Sequence, residues 1–222
     1  MPMQAIPHTA LQGLYAVTPD TTDSDWLLPR VEAVLQGGAS LVQYRNKSPD
    51  AALRLRQAGQ IQHLCRRHAA LFIINDDLAL ASHLAADGIH LGRHDTDLRQ
   101  ARQSLGTTAI IGASCYNQYT LARQAARSGA DYLALGALFP SRSKPDLVHA
   151  PPALVAARPA LGLPYAAIGG IDADNAAQAW ACGTEMLAVI TGLFHAADPG
   201  AAARAILAAR QHTRPPQWLH RI

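Results

Sequence analysis

Short apolar runs alternate with amphipathic stretches along the whole chain. Leu14-Tyr-Ala-Val17 is the first run, and helical spacing follows from Trp26 to Gln36, with a stop at Gly37-Gly38. Leu41 to Ser48 starts apolar and turns polar. It predicts a buried strand running into a helix that Ser48 caps and Pro49 begins. Strand alternation would then point Gln43, Arg45 and Lys47 the same way. Leu53, Ile61 and Leu64 mark a long amphipathic helix between Asp50 and Ala69. Leu71 to Ile74 is the third run, ended by Asn75-Asp76-Asp77, and a short helix follows from Leu78 to Ala86. Gly88 to Gly92 gives a fourth strand, and Thr96-Asp97 opens a helix to about Leu105.

The second half repeats the theme. Ala109 to Cys115, Tyr132 to Gly136, Tyr165 to Gly170 and Glu185 to Ile190 read as the fifth to eighth strands. Helices are expected from an Asn117 cap to Gly129, from Ala153 to Leu161, from Asp174 to Ala181 and from Asp198 to Gln211. Phe139 to Asp146 is a long polar loop with little apolar surface to hold it, which suggests a lid. Residues 1–12 look like a flexible arm and residues 213–222 like a tail. Strands this apolar have no wet face, so they call for parallel pairing under a layer of helices. Eight such units across residues 1–222 predict a single α/β domain, a (β/α)8 TIM barrel, with an open doubly wound sheet as the alternative. In a barrel the carboxyl ends of all the strands face one mouth, where active sites lie.

Composition adds mainly exclusions. A net charge of +3, from 19 basic and 16 acidic residues, is too mild to argue for nucleic acid and supports only a modest pull on anionic substrates. Cys65, Cys115 and Cys182 share no metal-ligand or redox spacing and read as reduced thiols. No apolar run reaches the ~20 residues that a membrane helix needs, and the first residues lack a leader pattern. A cytoplasmic protein with no membrane partner is expected, and self-association stays open.

The strand ends at the mouth carry the chemistry. They supply Gln43, Arg45 and Lys47; Asn75 and Asp76; Asp95; Ser114; Ser141, Ser143 and Lys144; Gly169 and Gly170; and Ile190, Thr191 and Gly192. Arg45, Lys47 and Lys144 are cations suited to phosphate oxygens. Asp76 and Asp95 come from adjacent strand ends, enough for Mg²⁺ with substrate phosphates completing its shell. Gly169-Gly170 and Thr191-Gly192 sit where many barrels bind phosphate on bare backbone N–H groups. Each feature alone has a plainer reading. Asn75-Asp76-Asp77 would make a good helix cap, Gly169-Gly170 a tight turn, Arg142 a solvated loop charge, and His90 a satisfied core histidine. Together they imply two phosphorylated groups bound at once, without a covalent nucleophile. A pyrophosphate leaving group and a phosphorylated acceptor fit that layout.

Val42-Gln-Tyr-Arg-Asn-Lys47, Ile74-Asn-Asp76, Asp87-Gly-Ile-His-Leu-Gly92, Ile111-Gly-Ala-Ser114, Phe139-Pro-Ser-Arg-Ser-Lys-Pro-Asp146, Ala167-Ile-Gly-Gly-Ile171 and Val189-Ile-Thr191 resemble the motifs of the thiamine phosphate synthases, in the same order. The resemblance implies a (β/α)8 transferase that joins 4-amino-2-methyl-5-(diphosphooxymethyl)pyrimidine to 4-methyl-5-(2-phosphooxyethyl)thiazole. Pyrophosphate leaves first, and the thiazole nitrogen captures the resulting pyrimidinylmethyl cation. It also implies that Gln43, Tyr44, Arg45, Asn46 and Lys47 hold the pyrimidine diphosphate with Asn75, Ser114 and Lys144. Asp76 and Asp95 would bind Mg²⁺. Ser141, Arg142, Ser143, Gly170, Ile190 and Thr191 would hold the thiazole phosphate. Arg45, Lys47, Ser114 and Lys144 would be catalytic.

The sequence departs from the family pattern at several points. Gly92-Arg-His-Asp95 keeps the second carboxylate but lacks the acid that usually stands beside it. Ser141 and Ser143 replace the usual threonines, and Thr191 a common serine; each keeps its hydroxyl. Tyr116 stands where the related thiazole tautomerases place a proton-transferring histidine, which favours the synthase over that isomerase.

Overall fold

The eight strands pair side by side in chain order and the last closes on the first. A computed structural model describes residues 11–92, 95, 97–140 and 161–212. The strands are β1 (Gly13–Val17), β2 (Leu41–Tyr44), β3 (Leu71–Asn75), β4 (Gly88–Leu91), β5 (Ile110–Tyr116), β6 (Tyr132–Gly136), β7 (Tyr165–Ile168) and β8 (Met186–Val189). All neighbours are parallel, and Tyr15 of β1 aligns with both Leu41 of β2 and Ala188 of β8. That closure excludes the open sheet.

Around the barrel lie α1 (Ser24–Gln36), α2 (Ala51–Arg67), α3 (Leu78–His83), α4 (Leu98–Leu105), α5 (Tyr119–Arg127), α6 (Ala176–Ala181), α7 (Thr191–Phe194) and α8 (Pro199–Ala208). A 3₁₀ turn, Ala209–His212, follows α8. The helix expected from Ala153 to Leu161 lies almost wholly outside the described residues, as do residues 1–10 and the tail from 213. Leu11 is no part of a free arm: it is 3% exposed and packs inside the barrel.

Two caps differ from expectation. Asp50, not Ser48, caps α2 by accepting the Leu53 N–H at 2.9 Å, while Ser48 Oγ accepts the Asp50 N–H. The shorter turn wins because an aspartate can satisfy an otherwise bare N–H of the first turn. α5 starts after Gln118 with no side-chain cap, so Asn117 does not serve. The one-turn α7 was not expected; four residues are too few to show a helical period.

Strand parity divides the apolar side chains into two bodies. Leu14, Val42, Phe72, Ile74, Ile111 and Leu187 pack outward under the helices, and Tyr15, Leu41, Ile73, Ile110, Tyr132 and Met186 pack within the barrel. The base is fastened by side chains that precede the even strands. Asp87 accepts the Phe72 N–H (2.8 Å), Asp131 that of Ile111 (2.7 Å) and Glu185 that of Tyr165 (3.0 Å). Ser40, before β2, donates instead to the carbonyl of Gln12. Base-end backbone groups are thereby paired, and the opposite rim is left for the site.

Candidate active site

The β1–β4 side of the mouth gathers charge. β2 stops at Tyr44, so strand alternation does not govern Arg45 and Lys47. The loop after β1 holds the segment instead. Thr18 Oγ1 accepts the Arg45 N–H (2.8 Å) and donates to the Arg45 carbonyl (2.9 Å). Asp20 pairs with the Arg45 guanidinium at 2.5 Å and accepts the Lys47 N–H at 2.8 Å. Thr18 and Asp20 were not singled out from the sequence, because their partners are more than 20 positions away.

Asp76 follows β3 in a left-handed backbone conformation, φ +60°. Asp77 is the cap of α3, accepting the Leu80 N–H at 2.9 Å, and it also pairs with Arg54. The capping reading of this triplet therefore belongs to Asp77 and frees Asp76. Asp76 N–H donates to the His90 carbonyl (2.9 Å), and its carboxyl accepts from Asn75 Nδ2 (2.6 Å). Asp95 accepts the Gly92 N–H at 2.6 Å. Burial pushes the Asp76 carboxyl up to about 6, reinforced by a hydrogen bond and charge repulsion from Asp95, with Asn75 and the Lys47 charge pulling the other way. The two carboxyls thus share a site with Lys47 close enough to be felt. Among the described residues no three His, Cys, Asp or Glu side chains cluster as a metal cage.

The β5–β8 side is a cleft of ≈ 790 Å³ whose walls include Ser114, Tyr116, Gly169, Gly170, Ile190 and Thr191. Gly169 (φ +106°) and Gly170 (φ +64°) make a turn that most residues avoid. Asn175 Nδ2 holds this turn through the Gly170 carbonyl at 2.7 Å, and Phe139 N–H through that of Gly169 at 3.1 Å. A register shift in β5 between Ser114 and Tyr116 leaves Tyr116 with φ +52° and 43% exposed at the rim. Another cleft, of ≈ 690 Å³, lies on the flank between α1 and α2 and carries none of the candidate residues.

Not every candidate reaches the mouth. Tyr44 is 2% exposed and belongs to the outer core, its hydroxyl donating to Gln57 Oε1 at 2.9 Å; strand parity points it at α2. Asn46 donates to Thr21 O and Gln57 Oε1 and accepts the Ser48 N–H, so it shapes the loop. Ser141, Arg142, Ser143 and Lys144 lie outside the described residues, and so does most of the expected lid. His90 is satisfied within the structure, as expected, between Tyr132 and Ser114. The three cysteines are free, with Cys65 and Cys115 buried.

Residues 14–193 match the family model of thiamine monophosphate synthase, a span that contains every candidate from Gln43 to Thr191. This chain belongs to the thiamine monophosphate synthase family. It is 55% identical to the thiamine-phosphate synthase of Chromobacterium violaceum over 88% of this chain and 95% of that one. It is 52% identical to that of Thioalkalivibrio sulfidiphilus over 89% and 95%. The solved thiamine phosphate pyrophosphorylase of Pyrococcus furiosus shares the barrel with TM-score 0.81 and 29% identity, covering 92% of this chain and 98% of that one. As a member of the thiamine monophosphate synthases the chain is an enzyme of the transferase class. No helix among the described residues is long and apolar enough to cross a membrane.

Proposed function

We propose that this chain condenses 4-amino-2-methyl-5-(diphosphooxymethyl)pyrimidine with 4-methyl-5-(2-phosphooxyethyl)thiazole, giving thiamine phosphate and pyrophosphate in the cytoplasm. One observation carries the reading: the mouth has two unlike halves. Paired carboxyls feel the charge of Lys47, which Asp20 ties to Arg45, on one side, and a glycine-turned cleft with Thr191 lies on the other. A diphosphate with a divalent cation suits the first, and a phosphate monoester the second.

The Asp76 and Asp95 carboxyls fit Mg²⁺. Both are hard oxygen donors, and burial together with the neighbouring Asp95 carboxyl lets Asp76 keep its proton to about pH 6, a cost that a cation relieves. When bound, Mg²⁺ would neutralise charge on the diphosphate and favour its departure. The protein's own groups do the rest. Asp20 engages one guanidinium nitrogen of Arg45, so the remaining donors of the fork are left for phosphate oxygens. Lys47 adds a second cation, and Ser114 a hydroxyl from the far wall. The C–O bond of the pyrimidine methylene breaks with its electron pair going to pyrophosphate. The thiazole nitrogen then supplies the pair for the new C–N bond. Gly170, Ile190 and Thr191 hold the thiazole phosphate so that this nitrogen is the nearest nucleophile.

Pyrophosphate release from the two purified substrates, with and without Mg²⁺, tests the reading. Release should need both substrates and the metal. Release without the thiazole would mark a hydrolase, and thiazole isomerisation without pyrophosphate a tautomerase.

Metal binding should also depend on pH in a definite direction. The Asp76 carboxyl is raised from 3.8 to about 6 in the folded state, so its proton favours folding and metal-free stability declines as pH rises through that window. The proton must leave before a metal binds. Mg²⁺ should therefore raise Tm clearly at pH 8 and little at pH 5, and Asp76→Asn should remove the difference. Equal shifts at both pH values would show that the ion binds elsewhere.

A further inference from the structure

One continuous hydrogen-bond chain crosses the floor of the mouth. Gln43 Nε2 on β2 donates to the Tyr15 hydroxyl on β1 at 2.6 Å, and the Tyr15 and Tyr132 hydroxyls are 2.7 Å apart. The Tyr132 hydroxyl lies 2.9 Å from His90 Nδ1, and His90 Nε2 lies 2.9 Å from Ser114 Oγ. Tyr15 is 1% exposed, Tyr132 0% and His90 7%, so water does not compete along the middle of the chain. Five of the eight strands contribute one residue each.

The chain has a direction. The Gln43 amide nitrogen can only donate. Tyr15 accepts from it and passes its own proton to Tyr132, and Tyr132 passes its proton to His90 Nδ1. Each nitrogen of the buried ring faces one hydroxyl, and the nitrogen that receives the Tyr132 proton can carry no hydrogen of its own. An imidazole that accepts at Nδ1 carries its hydrogen on Nε2 and donates it to Ser114. Reversing the tyrosine and histidine links would make Tyr15 accept twice and leave its buried O–H with no acceptor among the described residues. That orphaned donor disfavours the reverse order.

We infer that this chain fixes Ser114 as a hydrogen-bond donor toward the mouth and leaves Gln43 its amide oxygen as an acceptor there, with Tyr15, Tyr132 and His90 as positioning residues for the pyrimidine substrate. The inference rests on the proposed contacts of Ser114 and Gln43 with that substrate. An aminopyrimidine diphosphate offers N–H groups to an acceptor and ring nitrogens and phosphate oxygens to a donor, which is the pattern the chain prepares. Since both ends are set from beneath, neither mouth residue has to reorient as the ligand enters.

The test is a double-mutant cycle on the full-length enzyme with Mg²⁺, reading kcat and KM for each substrate together with Tm. Ser114→Ala should lower kcat/KM for the pyrimidine diphosphate by ~10-fold, the loss expected for one hydrogen bond to a charged or reacting ligand. Tyr132→Phe should cost a similar factor while the KM for thiazole phosphate changes by less than ~2-fold. In the Ser114→Ala background Tyr132→Phe should cost clearly less, keeping only the part that acts through Tyr15 and Gln43. His90→Gln keeps an N–H for Ser114 and an oxygen for Tyr132, so it should recover most of what His90→Leu loses. If Tyr132→Phe fails to fold, the His90 pair carries the same decision. Equal losses from Tyr132→Phe in both backgrounds, or no difference between His90→Gln and His90→Leu, would reduce the chain to packing and overturn the inference while Ser114 keeps its contact. Full activity in Ser114→Ala would overturn the contact itself, and the inference with it.

Discussion

Asp76→Ala should abolish turnover and leave the barrel folded. The α3 cap is Asp77, so its bond to the Leu80 N–H survives the change, as does the Asp76 N–H bond to the His90 carbonyl. What is lost is the carboxyl that stands against Asp95. On the proposed function, Mg²⁺ would keep one of its two carboxylates, and charge on the departing pyrophosphate would be poorly neutralised. Losing several kcal/mol of that stabilisation corresponds to a fall in kcat of roughly 10³-fold or more. Alanine tolerates φ +60° less well than aspartate, so Asp76→Asn is the companion that keeps the backbone preference. Circular dichroism and thermal melts should show both variants folded. Near-normal pyrophosphate release at limiting Mg²⁺ would show that Asp76 is not a metal ligand.

Gly170→Val should damage the acceptor side of the site and leave the donor side almost intact. A side chain at this position would not point into the cleft. Its Cβ would lie 2.7 Å from the Pro140 carbonyl oxygen and 2.8 Å from that of Phe139, both backbone atoms, at φ +64°. The turn and the segment after β6 would have to separate, and a β-branched residue is among the least tolerant of left-handed backbone. The KM for thiazole phosphate should rise by ~10-fold or more and that for the pyrimidine diphosphate by less than ~3-fold. Strain of ~1–2 kcal/mol, before any clash, would lower Tm by roughly 5 °C. Equal changes in both KM values would argue against two separate phosphate sites.

The fold was legible because barrel strands are buried on both faces, and Leu71-Phe-Ile-Ile74 or Tyr132-Leu-Ala-Leu135 can hardly read otherwise. The mouth was legible where polarity breaks an apolar run, as at Asn75-Asp76 and Gly169-Gly170. The assignment within Asn75-Asp76-Asp77 was not, because only backbone geometry separates the capping carboxylate from the free one. Nor was the end of β2, where R-x-K mimics the alternation of a strand that has already stopped. Tyr15, His90 and Tyr132 look like core residues in sequence, and they are core residues. Their polar atoms meet across separations as large as 117 positions, which no local pattern encodes.

At the base, Asp87, Asp131 and Glu185 each stand one residue before an even strand and grip the odd strand that precedes it, and Ser40 occupies the same place before β2. These fasteners recur every two strands rather than every one. The cylinder is therefore a ring of four clasped quarters, each a strand–helix–strand unit. A chain that grew by doubling and redoubling such a quarter would carry this mark. It would keep the mark longest at the end where no substrate asks for novelty.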